Sequence, residues 1–296
     1  MPMSGDEGLL SGGAYPAAQV RVRGWVDMPR RIGIGALLGV IGLASVLDAR
    51  AFAALVLVIA IGCLWELDRL SARKGQELVF PVAACAVAAY IVLAELRALR
   101  RWEPELVAAT VIGALAVSLF GSRSGYFARS AYTLLGVLYI GKLLSYFVAL
   151  RNVPHAGLAY ALAAIVLIAV SDIFAMLIGS WIGRIPLTSI SPRKTWEGAV
   201  GALAATTVAG VLLATLSPLH APWWHGALVG AITSIAAQAG DVVESALKRD
   251  ARVKDAGTAM GSHGGWLDRF DSYLFGGVAC YGALWVTGYL PGGPRW

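Results

Sequence analysis

The last third of the chain carries carboxylates and cations at close spacing. Between residues 240 and 272 the charged side chains are Asp241, Glu244, Lys248, Arg249, Asp250, Arg252, Lys254, Asp255, Asp268, Arg269 and Asp271. Hard carboxylate oxygens are the ligands that Mg²⁺ prefers, and cations bind phosphate oxygens. A segment with both signs therefore favours a site that handles phosphate groups together with a divalent metal.

The spacing within this segment suggests how the groups meet. If the helix that contains Asp241 continues toward residue 250, then Asp241, Ser245 and Lys248 share one face at i, i+4 and i+7. The tripeptide His263-Gly264-Gly265 follows in a loop, and glycines let backbone N–H groups close around phosphate oxygens. We interpret His263 as functional because it lies between two charged clusters.

A second candidate group lies upstream. Asp172 stands in the middle of an apolar run, where a charged residue is costly and usually functional. Ala175, Gly179 and Gly183 follow at four-residue spacing, which predicts a close approach by another helix. Such an approach would hold Asp172 against its neighbour.

The segment Ser191-Pro192-Arg193-Lys194-Thr195 follows this run. Pro192 is placed to begin a helix, with Ser191 as its N-cap. A helix N-terminus with hydroxyls and cations suits an anion. A basic loop that touches acidic lipid headgroups explains the same residues equally well.

These groups must be positioned by transmembrane helices. The 296 residues are 58% hydrophobic and 14% charged, whereas soluble domains are about 45–50% apolar and about 25% charged. Apolar runs occur at 32–47, 51–66, 79–94, 106–121, 131–150, 157–182, 198–216, 224–243 and 273–290. The pattern predicts an all-α polytopic transmembrane helical bundle with about nine spans.

Lysine and arginine concentrate in every second connecting segment, which predicts a cytoplasmic N-terminus and an outer C-terminus. The same bias explains the net charge of +6, so we expect no nucleic-acid partner. The first 28 residues have no apolar core of a signal peptide. We divide the chain into a flexible cytoplasmic tail (1–28), an N-terminal transmembrane scaffold (29–130) and a catalytic transmembrane domain (131–296) with cytoplasmic loops 183–197 and 244–272.

The C-terminal segment resembles the bacterial phosphatidate cytidylyltransferases, also called CDP-diglyceride synthases. Their motif has the form S-x-x-K-R-x-x-x-x-K-D-x-G-x-x-x-P-G-H-G-G-x-x-D-R-x-D. The matching residues are Ser245, Lys248, Arg249, Lys254, Asp255, Gly257, His263, Gly264, Gly265, Asp268, Arg269 and Asp271. Gly261 and Ser262 stand where the family has Pro-Gly.

The upstream segment is similar to the same family, which has D-S-x-A-Y-x-x-G-x-x-x-G and S-P-x-K-T-x-E-G. The matching residues are Asp172, Gly179, Gly183, Ser191, Pro192, Lys194, Thr195, Glu197 and Gly198. Ile173 and Met176 depart from the pattern. The motif resemblance covers about residues 170–272.

The resemblance implies a Mg²⁺-dependent enzyme of phospholipid biosynthesis, in the bacterial cytoplasmic (inner) membrane, with its active site on the cytoplasmic side. It would convert CTP and phosphatidate into CDP-diacylglycerol and pyrophosphate, with membrane lipids as surroundings. A second cation beside Mg²⁺ and a homodimeric assembly are both left open.

The resemblance also implies roles. The expected metal ligands are Asp241 and Asp268. The expected catalytic residues are Asp241, Asp268, Lys248, Arg249 and Asp172. The expected substrate-binding residues are Ser191, Lys194, Thr195, Ser245, Lys254, His263, Gly264, Gly265 and Arg269.

Other interpretations remain. A CTP-dependent polyprenol kinase, or a cytidylyltransferase for another lipid phosphate, would use similar groups. An ion-coupled transporter could use Asp172, Lys142 and Asp241 as a relay. Lys142 and Asp172 could also form an internal salt bridge that only fixes helix packing. A non-catalytic scaffold leaves the intramembrane Asp172 without a purpose.

Overall fold

The computed structural model describes residues 39–121, 125–216, 221–257 and 264–290. Residues 39–47 are helical. The helices that follow are α1 (Ala49–Ala72), α2 (Phe80–Glu95), α3 (Leu99–Ser118), α4 (Tyr126–Gly136), α5 (Leu143–Arg151), α6 (Gly157–Ile182), α7 (Trp196–Leu216), α8 (Trp223–Asp250) and α9 (Leu267–Val286). A π-helical segment, Val137–Lys142, joins α4 to α5. The predicted all-α class is confirmed for the described residues.

Local sequence explains where several helices begin. Asp48 precedes α1, and its carboxylate accepts a hydrogen bond from the Ala51 N–H at 2.8 Å, as an N-cap residue does. A proline lies in the first turn of α2, where its missing N–H costs nothing. Gly125 precedes α4 with φ of 81°, a backbone conformation that glycine adopts without strain.

Five helical spans in the described part of the chain are long and apolar enough to cross a membrane. They are Ala49–Ala72, Tyr126–Arg151, Gly157–Ile182, Trp196–Leu216 and Trp223–Asp250. The shorter α2 is also apolar. The chain is therefore a multi-pass membrane protein. The count of about nine spans and the orientation of the N-terminus stay predictions, as do the domain boundaries, and the proposed tail (1–28) lies outside the described residues.

The predicted close approach after Asp172 is confirmed. A Cβ added at Gly198 of α7 would lie 2.7 Å from the Ala175 carbonyl oxygen and 3.1 Å from Gly179 Cα on α6. Gly183 would likewise meet the Thr195 hydroxyl at 2.6 Å. Small residues on both helices therefore let the two backbones touch.

The prediction that a helix begins at Pro192 is wrong, because α7 begins at Trp196. The chain before it folds back on itself, and the Leu187 N–H donates to the Lys194 carbonyl at 2.7 Å. These backbone groups are thereby used in a short antiparallel pairing and are not available to a helix. The Thr195 hydroxyl accepts from the Gly198 N–H at 3.2 Å and so acts as the N-cap that was expected of Ser191.

Candidate functional site

A cavity of about 290 Å³ lies where the C-terminal half of α6 and the turn before α7 meet the facing ends of α8 and α9. Its lining mixes carboxylates and cations with apolar groups. The lining residues are Asp172, Ala175, Met176, Leu187, Arg193, Lys194, Thr195, Gly198, Ala199, Gln238, Asp241, Asp268, Asp271 and Ser272. Residues from distant parts of the sequence thus form one cavity with both polar and apolar walls.

Lys194 and Asp241 face each other across this cavity. Lys194 Nζ lies 2.7 Å from Asp241 Oδ1. The Asp241 side chain is 40% exposed and the Lys194 side chain 21% exposed, but the Lys194 ammonium itself is buried against Asp241. A cation in the cavity can therefore reach Asp241, whereas an anion must displace the Asp241 carboxylate to reach the Lys194 ammonium.

Three carboxylates converge beside this pair. Each of Asp241, Glu244 and Asp271 offers an oxygen, and these oxygens lie within 4.8 Å of one another. Glu244 is fully buried and Asp271 is 8% exposed. Three carboxylates this close together, two of them buried, repel each other strongly unless cations offset their charge.

Lys248 offsets part of that charge. Its Nζ lies 2.6 Å from Glu244 Oε2 and 2.6 Å from Asp268 Oδ1. The other oxygen of Asp268 accepts from the Ala256 N–H at 3.0 Å and the Gly265 N–H at 2.8 Å. Asp268 thus holds the turn before α9, and its oxygens already have donors.

Asp172 reaches α9 through a hydroxyl. The Ser272 hydroxyl donates to Asp172 Oδ1 at 2.9 Å. One residue earlier on α6, the Ser171 hydroxyl lies 2.9 Å from the Ser234 hydroxyl of α8. The polar side chains of α6 therefore connect it to both helices that carry the carboxylate cluster.

Comparison with known proteins identifies the family. The model of the cytidylyltransferase family matches residues 29–287. The chain belongs to this family. A phosphatidate cytidylyltransferase of Bacillus subtilis (strain 168) is 31% identical over 257 residues, which cover 84% of this chain and 95% of that protein.

Two further relatives match over shorter stretches. A phosphatidate cytidylyltransferase of Synechocystis sp. is 37% identical over 186 residues, covering 53% of this chain and 62% of the relative. One of Mycobacterium leprae is 36% identical over 143 residues, covering 48% of this chain and 46% of the relative. The resemblance seen in the motifs is thus confirmed at the level of the family.

The structure brings some of the predicted residues to the cavity. Those that line it are Asp172, Lys194, Thr195, Asp241 and Asp268. Lys248, Gly264 and Gly265 lie behind them around Asp268. Ser191, Ser245, Arg249, Lys254 and Arg269 are not among the described residues that line it, and His263, like Gly261 and Ser262, falls outside the described residues.

Arg249 at the end of α8, Lys254 in the segment after it and Arg269 at the start of α9 do not surround the cavity as a phosphate-binding loop would. Arg249 is exposed and its guanidinium donates to the Val253 carbonyl at 3.1 Å within its own turn. Lys254 and Arg269 are also exposed at the surface. In this structure the Gly265 N–H is used by Asp268 and does not face the cavity as an anion donor.

Sequence reasoning did not assign three residues that the geometry adds. Glu244 and Asp271 complete the carboxylate cluster, and Arg193 supplies a second cation to the cavity lining. A signal was available, because Glu244 follows Asp241, and Asp271 follows Asp268, by three residues. Residues at i and i+3 are neighbours on a helix.

Lys142 takes no part in the cavity. It forms an ion pair with Glu103 of α3 and lies 4.9 Å from the centre of the Tyr146 ring. The salt bridge with Asp172 considered from the sequence is therefore wrong, since Asp172 bonds to Ser272. The relay expected of a transporter would need Lys142 beside Asp172 and Asp241, and it is not assembled in this structure.

The cluster fits a divalent cation. Asp241, Glu244 and Asp271 present hard oxygen ligands at a separation that one ion can bridge. Lys194 and Lys248 supply two positive charges, while Asp268 adds a further negative charge beside Lys248. The local excess of negative charge is what a bound Mg²⁺ would neutralise.

Proposed function

We propose that this chain transfers the cytidylyl group of CTP to phosphatidate, which yields CDP-diacylglycerol and pyrophosphate. The observation that carries the proposal is the convergence of Asp241, Glu244 and Asp271 beside Lys194 in one cavity of a multi-pass membrane protein. The family match supports it, as do relatives named phosphatidate cytidylyltransferase.

The reaction balances without a general base. A phosphate oxygen of phosphatidate attacks the α-phosphorus of CTP, and the bond from that phosphorus to the bridging oxygen of the β-phosphate breaks. Pyrophosphate leaves. Because the second pKa of a phosphate monoester is about 6, the nucleophile is largely a dianion at neutral pH. Positioning and charge neutralisation can then supply most of the catalysis.

The residues divide these tasks. Asp241, Glu244 and Asp271 would hold Mg²⁺, which when bound offsets the charge of the CTP phosphates. Lys194 and Arg193 attract the phosphates of the two substrates into the cavity. This assignment places Asp268 differently from the sequence-based expectation, as the partner that fixes Lys248 and the turn before α9.

The proposed function also requires a location of the cavity relative to the membrane. We place the cavity at the cytoplasmic face of the bacterial inner membrane, because the positive-inside pattern predicts that the loops 183–197 and 244–272, which contribute to its lining, are cytoplasmic. The polar lining next to the apolar Met176 and Leu187 suits a substrate with a charged head and acyl chains. A homodimer and a second cation stay open alternatives within this proposal.

Product analysis tests the proposal. Purified protein in lipid nanodiscs receives phosphatidate, Mg²⁺ and CTP labelled at the α- or the γ-phosphate. We expect α-label in the lipid and γ-label in pyrophosphate, with little turnover of ATP, GTP or UTP. A CTP-dependent kinase would instead move the γ-label to the lipid and release CDP. The proposal would be refuted if no CTP-dependent product formed with phosphatidate. The same assay with a polyprenol phosphate tests whether the enzyme acts on a different lipid acceptor.

A further inference from the structure

Glu66 is a fully buried carboxylate on α1, far in sequence from the carboxylates of the cavity. Its Oε2 accepts a hydrogen bond from the backbone N–H of Leu267 at 2.9 Å, across 201 residues of sequence. Leu267 is the first residue of α9, which carries Asp268 and Asp271. A side chain from the N-terminal region thus contacts the start of a helix that carries two site residues.

This hydrogen bond supplies what α9 lacks locally. The residue at its N-cap position, Trp266, makes no side-chain capping bond. The first N–H groups of a helix have no partner within the helix, and a buried donor is costly to leave unpaired. The partial negative charge of Glu66 Oε2 also suits the positive end of the helix dipole. Glu66 therefore caps α9 from another helix.

Two glycines make room for this carboxylate. A Cβ at Gly257 would lie 2.4 Å from Glu66 Oε1, and one at Gly265 would lie 2.2 Å from Glu66 Oε2. Asp268 holds the same two stretches of backbone through the N–H groups of Ala256 and Gly265. The backbone at residues 256–257 and the backbone at Gly265 thus both lie between Glu66 and Asp268.

The preceding turn of α1 adds an apolar contact. A Cβ at Gly62 would lie 2.7 Å from the ring of Trp266. Gly62 and Glu66 are one helical turn apart, so one face of α1 receives both the Trp266 ring and the N-terminus of α9. Two independent contacts fix the same end of α9.

We infer that Glu66 is a positioning residue of the site. Its carboxylate fixes the N-terminus of α9 and thereby sets the distance of Asp268 and Asp271 from Asp241. Glu66 is not among the described residues that line the cavity, so it acts through α9 and not on the substrates. The activity readout of this inference rests on the proposed cytidylyl transfer.

Three substitutions separate the acceptor oxygen from simple filling of space. Glu66→Gln keeps an oxygen acceptor, whereas Glu66→Leu keeps a similar volume without one. Glu95→Gln is the matched control. The Glu95 carboxylate accepts a hydrogen bond from the Asn152 side chain at 2.8 Å, and neither residue is among those that line the cavity. We expect kcat to fall about tenfold or more in Glu66→Leu, with KM for CTP changed less than about threefold, because misplaced catalytic groups lower turnover more than binding. Glu66→Gln should retain kcat within about threefold of wild type, and Glu95→Gln should match wild type.

A second readout does not depend on turnover. Arg252 and Lys254 lie in the turn after α8, and trypsin cleaves after both. If Glu66 holds this turn, native protein in nanodiscs should be cut there faster in Glu66→Leu than in wild type or Glu66→Gln. Cleavage rates that are equal in all variants would overturn the inference.

The kinetic outcomes are equally decisive. Wild-type kcat in Glu66→Leu overturns the inference, and so do equal losses of kcat and thermal stability in the Gln and Leu variants. If wild-type protein has no CTP-dependent turnover, the proposed function fails, while the proteolysis comparison still tests Glu66 by itself.

Discussion

Lys194 Nζ lies 2.7 Å from Asp241 Oδ1, and this ion pair joins the turn before α7 to the C-terminal half of α8. The two residues belong to separate motifs that lie 47 positions apart in the sequence. Under the proposed function, their contact places a cation that would bind phosphate beside a carboxylate that would bind Mg²⁺. Phosphate and Mg²⁺ would then each compete with this ion pair for one of its partners.

Replacement of Lys194 tests this relationship. Lys194→Met should lower kcat/KM for CTP by about 10- to 100-fold, because a charge-assisted contact to phosphate contributes about 1.5–3 kcal/mol. Lys194→Arg should retain more activity than Lys194→Met. Arg184→Met is the control, since Arg184 is an exposed cation of the same turn that does not line the cavity. Steady-state pyrophosphate release is the measurement, and equal effects of the Lys194→Met and Arg184→Met substitutions would contradict the assignment.

Lys248 should matter for stability as well as activity. It lies between Glu244 and Asp268 and is largely buried. Lys248→Met leaves two carboxylates without their cation, which we expect to cost about 3–5 kcal/mol of unfolding free energy. The neighbouring Arg249→Met removes an exposed cation and should leave the melting temperature of the detergent-solubilised protein nearly unchanged. Thermal melts followed by a thiol-reactive dye measure both, and similar melting temperatures would show that the buried ion pairs are not needed.

The close packing of α6 on α7 can be tested with alanine. Gly198→Ala introduces a Cβ only 2.7 Å from the Ala175 carbonyl oxygen, and the required backbone shift should cost about 1–3 kcal/mol. Gly282→Ala is the matched control, because no atom lies within 4 Å of its added Cβ. That helical substitution should stabilise the protein by about 0.5–1 kcal/mol. Melting temperatures that move in the same direction would contradict this packing.

The sequence contains much of this arrangement. Apolar runs predict the helices, and the four-residue spacing of Ala175, Gly179 and Gly183 predicts the approach of α7, because helical periodicity is a local property. The residue at which α7 begins, in contrast, depends on more than the local sequence. Pro192 and Ser191 satisfy the rules for a helix start. However, the Lys194 carbonyl, which would accept a hydrogen bond within such a helix, accepts one from the Leu187 N–H instead.

The sequence predicts only part of the candidate site, because several of its contacts join distant residues. Motif spacing predicts Asp241 and Asp268 as metal ligands, yet it does not reveal which of their oxygens remain available to a metal. Contacts from the turn and from Lys248 occupy Asp268, while Glu244 and Asp271 stand beside Asp241. Glu66 has no local signal, since its partner lies 201 residues away. Long-range contacts of this kind follow from the packing of helices and not from any short pattern.

The bond between Ser272 and Asp172 gives a graded prediction. Asp172→Asn removes a charge from the cavity and should lower kcat more than about tenfold. Ser272→Ala removes one hydrogen bond to the Asp172 carboxylate but keeps its charge, so the loss should stay at about 1.5 kcal/mol, or about tenfold, and below that of Asp172→Asn. The two substitutions share a contact, and the double variant should lose less than the product of the single losses. Single-turnover rates measure this, and independent multiplication of the two losses would argue against their coupling.

Divalent metal binding by Asp241, Glu244 and Asp271 is most directly measured by electron paramagnetic resonance of free Mn²⁺ titrated into purified protein in nanodiscs without nucleotide. Wild-type protein should remove about one equivalent of Mn²⁺ from solution, in competition with Mg²⁺. A triple variant (Asp241→Asn, Glu244→Gln, Asp271→Asn) and the single Asp241→Asn should lose that site. A matched triple variant (Glu77→Gln, Glu105→Gln, Asp250→Asn), which neutralises three exposed carboxylates elsewhere, should keep it. Equal Mn²⁺ binding by wild-type protein and by the folded site variants would contradict the proposed metal centre.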